Sequence, residues 1–247
     1  MSHLYLVGTN HWDLKGAERL KKFLSFVQPT AVGLEASPDL VKLRLQDRAQ
    51  IKQKLKEEEL YNSLFNAFDS ILNRSSLEME KDVVNEFLIA QGYETWASYE
   101  YQQDEKPDMD IYALHDNKVL EEMSGAAYQK ALGSDNFDSK SGFKSNFFDD
   151  LAQRYTVDSL QKEVDDAYQN SLSQEDILKN PEHLPRLTAC DDIFEPKIRR
   201  IVDQNKSNGS TVIFLGHNHI FAEYNNLYHR LKDLNSIPVK LIDVDAF

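Results

Sequence analysis

The chain has 247 residues and carries 41 acidic against 28 basic side chains, a net charge of −13, with 41% hydrophobic residues. A field of that sign repels phosphate backbones, which argues against nucleic acid as a partner. No apolar run approaches the ~20 residues of a membrane-spanning helix, so no membrane partner is expected. The single Cys190 excludes an intramolecular disulfide and any multi-cysteine zinc site. The sequence opens directly on a strand-like run without a basic leader or apolar signal core, from which a cytoplasmic location is expected.

In chain order, the first predicted element is a strand at Leu4–Val7, ending in Gly8-Thr9-Asn10-His11. A helix is expected from about Leu14 to Phe26, then Pro29 and a strand at Ala31–Leu34 that ends in Glu35, together a right-handed βαβ unit. From Pro38 to Asn208 helical spacing dominates, beginning with Leu40, Leu43, Ile51, Leu55, Leu64 and Phe68. Ser75-Ser76-Leu77-Glu78 reads as a capping box opening a helix toward Gly92, its expected C-cap. A further helix is predicted from Glu94 to about Gln103, then a strand at Asp110–Leu114. The polar stretch from Gly133 to Gly142 reads as a loop. Helices are predicted to about Ser171, from Ser173 to Lys179, and from about Asp191 to Gln204. Asn208-Gly209 turns the chain into a strand at Thr211–Leu215, followed by Gly216-His217-Asn218-His219; a last strand is expected at Val239–Val244.

Strands separated by helices specify an α/β fold with a mostly parallel central sheet, flanking helices and a large, mainly helical insertion between the N- and C-terminal strands. A single domain, 1–247, is expected, its core at 1–37, 109–116 and 209–247, with insertions at about 38–108 and 117–208.

The two matched tetrads stand out because the chain holds only 9 glycines and 7 histidines. Each follows an apolar strand. Glycine there is expected to supply the turn dihedrals closed to other residues, presenting His11 and His219 at one sheet rim, where open parallel sheets bind ligands. Glu35 ends its own strand at the same rim. Two imidazoles and a carboxylate can hold a divalent ion and generate a nucleophile near neutral pH. Mn, Co, Fe and Zn all suit the set. Asn10, Asp13, Asn218 and His217 are near enough in sequence to orient those groups or add a ligand. His115 ends another strand. For each histidine alone, the plainer reading is a local hydrogen bond or helix cap.

The segments Leu4–His11 and Gln28–Glu35 together resemble the opening of the TraB/PrgY family. That family is grouped with the Tiki proteases in a superfamily that also resembles erythromycin esterases and ChaN haem-binding proteins. Its members carry two GxxH motifs, matched here by Gly8…His11 and Gly216…His219, and a glutamate ending the second strand. Gly92-Tyr93-Glu94 resembles the family's glycine-x-glutamate helix start, Met109–His115 with Asp116 the strand after it, and Thr211–Asp243 its closing unit. The resemblance covers roughly half the chain. Where the family carries a glutamate–arginine pair, this chain has Ala189-Cys190 and then Asp191-Asp192, so that arginine's role is either absent or taken by another residue such as Arg186, Arg199 or Arg200.

The resemblance implies a metal-dependent hydrolase cleaving an amide or related acyl bond of a peptide or small molecule. His11, Glu35 and His219 would hold the metal, with Glu94 as base and His217 as a further catalytic candidate. The erythromycin-esterase relatives imply a metal-free version with His11 as general base. PrgY-type relatives, associated with blocking peptides, are compatible with either cleavage or capture, so a protein that sequesters a peptide or small ligand on the same scaffold is the non-enzymatic alternative. Gly216-His217-Asn218-His219 also resembles the closing motif of calcineurin-like phosphoesterases, whose first aspartate-x-histidine motif this chain lacks. Assembly into a homo-oligomer stays open.

Overall fold

The computed structural model describes residues 3–56, 81–116, 156–179, 183–206 and 209–246. The Ser75–Glu78 capping box and the Gly133–Gly142 loop lie outside them. Along the described chain run β1 (Leu4–Thr9), α1 (Gly16–Val27), β2 (Ala31–Leu34), α2 (Pro38–Lys56), α3 (Lys81–Ala90), α4 (Tyr93–Asp104) and β3 (Asp110–Ala113). There follow α5 (Val157–Gln169), α6 (Gln174–Lys179), α7 (His183–Asn205), β4 (Thr211–Gly216), α8 (Asn218–Phe221), α9 (Leu227–Arg230) and β5 (Ile237–Lys240). The fold is α/β, as the strand and helix pattern specifies.

Five strands form one all-parallel sheet in the order β3-β2-β4-β1-β5. The chain steps from β1 to β2 to β3 in one direction, then returns through β4 to β5 in the other. Right-handed crossovers made in opposite directions put their helices on opposite faces, and the core divides accordingly. Val7, Val32, Leu34, Val212 and Phe214 pack under α1, α4 and α5. Leu4, Leu6, Ala31, Ile213 and Leu215 face the other way, against α7, α8 and α9. The period of two along each strand produces that sorting.

β4 lies between β2 and β1, and its onward connection leaves on the opposite face from theirs. In an open parallel sheet such a reversal opens a crevice beyond the carboxyl ends of the strands. Glu35 follows β2, Gly216 ends β4, and His11 follows β1, so all three belong to the rim of that crevice.

Three local expectations are corrected. The last strand is Ile237–Lys240, and the chain then coils into a 3-10 turn, Leu241–Ala246. Leu241 and Val244, three apart, are both fully buried against the α1 face, and that spacing suits a 3-10 helix. The helix α7 begins at His183, about two turns before Asp191, and Pro185 falls in its first turn, where its missing N–H breaks no bond. Gly92 has φ 68° and stands between two helices, N-capping α4 as well as following α3.

Candidate active site at the carboxyl rim of the sheet

The tetrad glycines do not serve as turn residues: among the described residues only Gly92 and Gly209 have positive φ among glycines. Gly8 lies within β1 and Gly216 ends β4, and close approach is what they permit. A methyl on Gly8 would stand 2.9 Å from the Phe221 ring and 3.2 Å from His217 Nδ1. On Gly216 it would meet Glu35 Oε2 at 3.3 Å, His219 Cδ2 at 3.7 Å and His11 Nε2 at 3.9 Å. Glu35, His11 and His219 therefore converge on the backbone of Gly216, although the two histidines are 208 positions apart. The strand register pairs Thr9 with Gly216 and Gly8 with Leu215, so the tetrads are offset by one residue. His11 consequently lies in the loop after β1, whereas His219 lies within α8.

Each imidazole is held by a carboxylate at Nδ1. His11 Nδ1 is 2.6 Å from Glu94 Oε1, which also accepts the Thr9 hydroxyl at 3.1 Å. His219 Nδ1 is 2.6 Å from Asp191 Oδ1, whose other oxygen accepts Tyr224 Oη at 2.7 Å. With Nδ1 so occupied, Nε2 is the remaining nitrogen of each ring. His219 Nε2 stands 3.6 Å from Glu35 Oε1, while Glu35 Oε2 accepts the Gly216 N–H at 2.5 Å. Exposure separates the two: the His11 side chain is 47% exposed and that of His219 6%. His11 is open to an incoming molecule, and His219 belongs to the crevice floor.

The charges are strongly coupled. The Glu94 carboxylate, opposed by burial, lifts His11 to about 9. Burial opposes charge on His219 as well, but Glu35 and Asp191 outweigh it and carry that ring to about 9. Burial also works against ionisation of Glu35, yet the His219 and His11 charges and the Gly216 N–H hold it near 2. Glu94 is likewise held below the ordinary carboxylate range: His11 overcomes its burial. At neutral pH the two imidazolium ions thus stand against the Glu35 and Glu94 carboxylates.

Among the described residues no group of three or more His, Cys, Asp or Glu is arranged to hold a metal ion. With a carboxylate at each Nδ1, Nε2 is the ring atom that a deprotonated imidazole would offer to a metal. The set as it stands is an ion-pair network.

The remaining candidates divide. His217 accompanies the site from the β5 side: its Nε2 is 3.0 Å from Ser171 Oγ and its ring stacks on Phe221. Burial and the Lys240 charge lower it to about 4, keeping it neutral. Asp13 is fully buried and turned away, accepting Arg19 Nη1, Gln161 Nε2 and Tyr168 Oη at 2.9–3.1 Å. Asn10 closes the turn, its side chain accepting the Trp12 N–H and its N–H donating to Tyr168 Oη. Asn218 opens α8, and its carbonyl accepts the Ala222 N–H. His115 is buried edge-on to Phe194 at 4.6 Å, and burial lowers its pKa. Arg199 ties α7 to Asp233 on the opposite face from α1, and Arg186 and Arg200 are exposed.

Asp191 is the functional partner that spacing alone does not reveal. The signal available is an acid beside the apolar stripe Cys190, Phe194, Ile198 and Ile201 of α7, where an unpaired charge would be costly. Among the described residues no helix is long and apolar enough to cross a membrane. Compared with known protein families, characterised proteins and solved structures, the chain matches none.

Proposed function

We propose that this crevice is the active site of a hydrolase that cleaves acyl bonds, amide or ester, with His11 activating water. The observation that carries the reading is the pair of carboxylate-held imidazoles, Glu94–His11 and Asp191–His219, turned toward one point at Gly216 and Glu35. The likeness to the TraB/PrgY family in the two glycine–histidine motifs supports the same class of reaction.

In this mechanism Glu94 holds the proton of His11 on Nδ1, so the neutral ring presents a basic Nε2. That nitrogen takes a proton from water as the oxygen attacks the acyl carbon. It returns the proton to the leaving amine or alcohol as the tetrahedral intermediate collapses. Glu94, already ionised, stabilises the imidazolium formed between the two steps. His219, locked by Asp191, fixes Glu35 and with it the backbone at Gly216. No metal is required by this sequence of steps.

The test is turnover of activated esters and of a peptide mixture, with and without chelator. Wild-type activity should survive chelation, and His11→Ala should lose about 100- to 10,000-fold, the usual contribution of a general base. Loss on chelation with recovery in Mn, Co, Fe or Zn would instead favour His11, Glu35 and His219 as ligands of a metal-activated water. A peptide bound and recovered intact would leave capture as the function, and turnover confined to phosphate diesters would favour the phosphoesterase reading.

A further inference from the structure

Arg44 on α2 is a cation beside this site with no carboxylate oxygen in ion-pair contact among the described residues. Its aliphatic arm runs across Gly92, where a methyl would stand 2.8 Å from Cδ and 2.9 Å from Nε. Gly92, with φ 68°, therefore keeps both its backbone shape and its missing side chain for the sake of this passage. The guanidinium reaches the first turn of α4, where Nη1 donates to the buried Thr95 hydroxyl at 3.0 Å. Thr95 is the neighbour of Glu94, and the Arg44 charge acts on both Glu94 and His11.

Of the other described arginines, Arg186 and Arg200 are exposed. Arg19, Arg48, Arg199 and Arg230 each have a carboxylate oxygen within 3.6 Å. Arg44 is half-buried and has none among the described residues, although acids outnumber bases 41 to 28 in this chain. Glu94 does not fill the gap: its Oε1 is engaged by His11 and Thr9, and its Oε2 is buried without a hydrogen-bond partner. The hydrogen bond to Thr95 thus seats a half-buried guanidinium one residue along α4 from Glu94, the carboxylate that holds the exposed imidazole of the proposed chemistry. A planar guanidinium with one hydrogen bond already made offers a remaining fork that matches a carboxylate, and one positive charge suits a monoanion better than a phosphate dianion.

We propose that Arg44 anchors the substrate, and that the substrate is an acyl compound carrying a free carboxylate near the bond to be cleaved. The assignment rests on the hydrolase reading above and names its substrate class.

The experiment compares mono-p-nitrophenyl succinate with its uncharged counterpart, p-nitrophenyl butyrate, in wild type, Arg44→Ala and Arg44→Lys. Circular dichroism and the unfolding midpoint check that each variant is folded. Wild type should favour the charged ester in kcat/KM by about ten- to hundredfold, the range a charge-assisted hydrogen bond supplies. That ratio should fall to about one in Arg44→Ala and partly return in Arg44→Lys, which restores charge without the fork. An unchanged ratio in Arg44→Ala, with only a shifted pH profile, would make Arg44 an electrostatic companion of Glu94 and overturn the assignment. So would a wild-type enzyme indifferent to the succinyl carboxylate. A parallel titration with hippurate, followed by calorimetry, separates the two readings. Hippurate binding that is lost in Arg44→Ala, without turnover of any ester, retains the anchor and removes the hydrolase. Turnover without charge preference or hippurate binding does the reverse. Inorganic phosphate binding tighter than hippurate would also overturn the carboxylate assignment.

Discussion

At His11 two requirements pull against each other. Glu94 must hold the ring in one tautomer, yet the same carboxylate raises its pKa to about 9. A base with that pKa is about 1% neutral at pH 7. The pH profile of kcat/KM should therefore climb through neutrality and level off only near pH 9. Replacing Glu94 by Gln keeps a hydrogen-bond acceptor and removes the charge. The His11 pKa should then fall toward the ordinary 6.5, and further if burial and Arg44 are left unopposed. The rising limb of the profile should move to lower pH while the plateau drops, because the imidazolium formed in the reaction loses its counterion. Proton NMR of the His11 ring checks the first effect, and the rate profile checks the second. A limb that stays near pH 9 in Glu94→Gln would remove His11 as the titrating base. His219 provides the contrast: it is raised to the same range, but it is buried with Asp191 and Glu35, so its proton has no route to an incoming molecule.

The elements that carry these side chains depend on close contacts that the sequence reveals unevenly. The start of α1 lies against α4: a methyl at Gly16 would fall 2.3–2.6 Å from the ring of Tyr93. Tyr93 is fully buried and its hydroxyl donates to the Asn10 carbonyl at 3.3 Å, so the ring cannot swing aside freely. Ala at an interior helix position gains about 1 kcal/mol over Gly, and less at a helix end, whereas forcing a methyl into a packed contact costs about 1–3 kcal/mol. Gly16→Ala should therefore destabilise by about 1–2 kcal/mol, the balance of those two effects, despite its better helix propensity. Urea denaturation measures it, and a stabilised variant would mean the α1–α4 contact is loose. The strands and α1 were legible because alternation and helical spacing are local properties: Leu4, Leu6 and Val7, or Val32 and Leu34, announce their faces in a few residues. The convergence of His11, Glu35 and His219 was legible because each lies one to three residues beyond the end of a strand. The carboxylate behind each ring was less so, since Asp191 and Glu94 reach the site from α7 and α4. Their meeting with the histidines follows from the strand order, and no local pattern states that β4 lies between β2 and β1. Asp13 illustrates the converse. Its nearness to His11 in sequence suggested the site, but its side chain turns to the buried Arg19.

That arginine joins distant parts of the molecule. Arg19, 2% exposed, donates to Asp13 at the end of the β1 loop, to Asp165 on α5 and to Asp245 in the closing 3-10 turn. It thus ties the loop after β1 to the closing 3-10 turn and to α5, which packs on the α1 face of the sheet. Asp13 is fully buried, Asp165 is 34% exposed and Asp245 52% exposed, so solvent can compensate the last two but not the first. Removing the cation leaves one buried carboxylate with Gln161 and Tyr168 as its side-chain partners among the described residues. Breaking a buried pair from one side costs about 3–5 kcal/mol, a large share of the ~5–15 kcal/mol that holds a domain folded. Arg19→Met, which keeps the length of the arm, should show a loss of that order at pH 8. The sign of the pH dependence distinguishes this cause from mere loss of packing. Burial already raises the Asp13 pKa above 3.8 in spite of Arg19. Without the guanidinium it must rise further, so the folded variant binds a proton that the unfolded chain does not. A carboxyl whose folded pKa is raised costs stability above that pKa and ceases to do so as pH falls through it. The deficit of Arg19→Met relative to wild type should therefore shrink between pH 8 and pH 5.5 in urea denaturation. A deficit of equal size at both pH values would place the loss in packing of the arm and remove the buried Asp13 charge as its source.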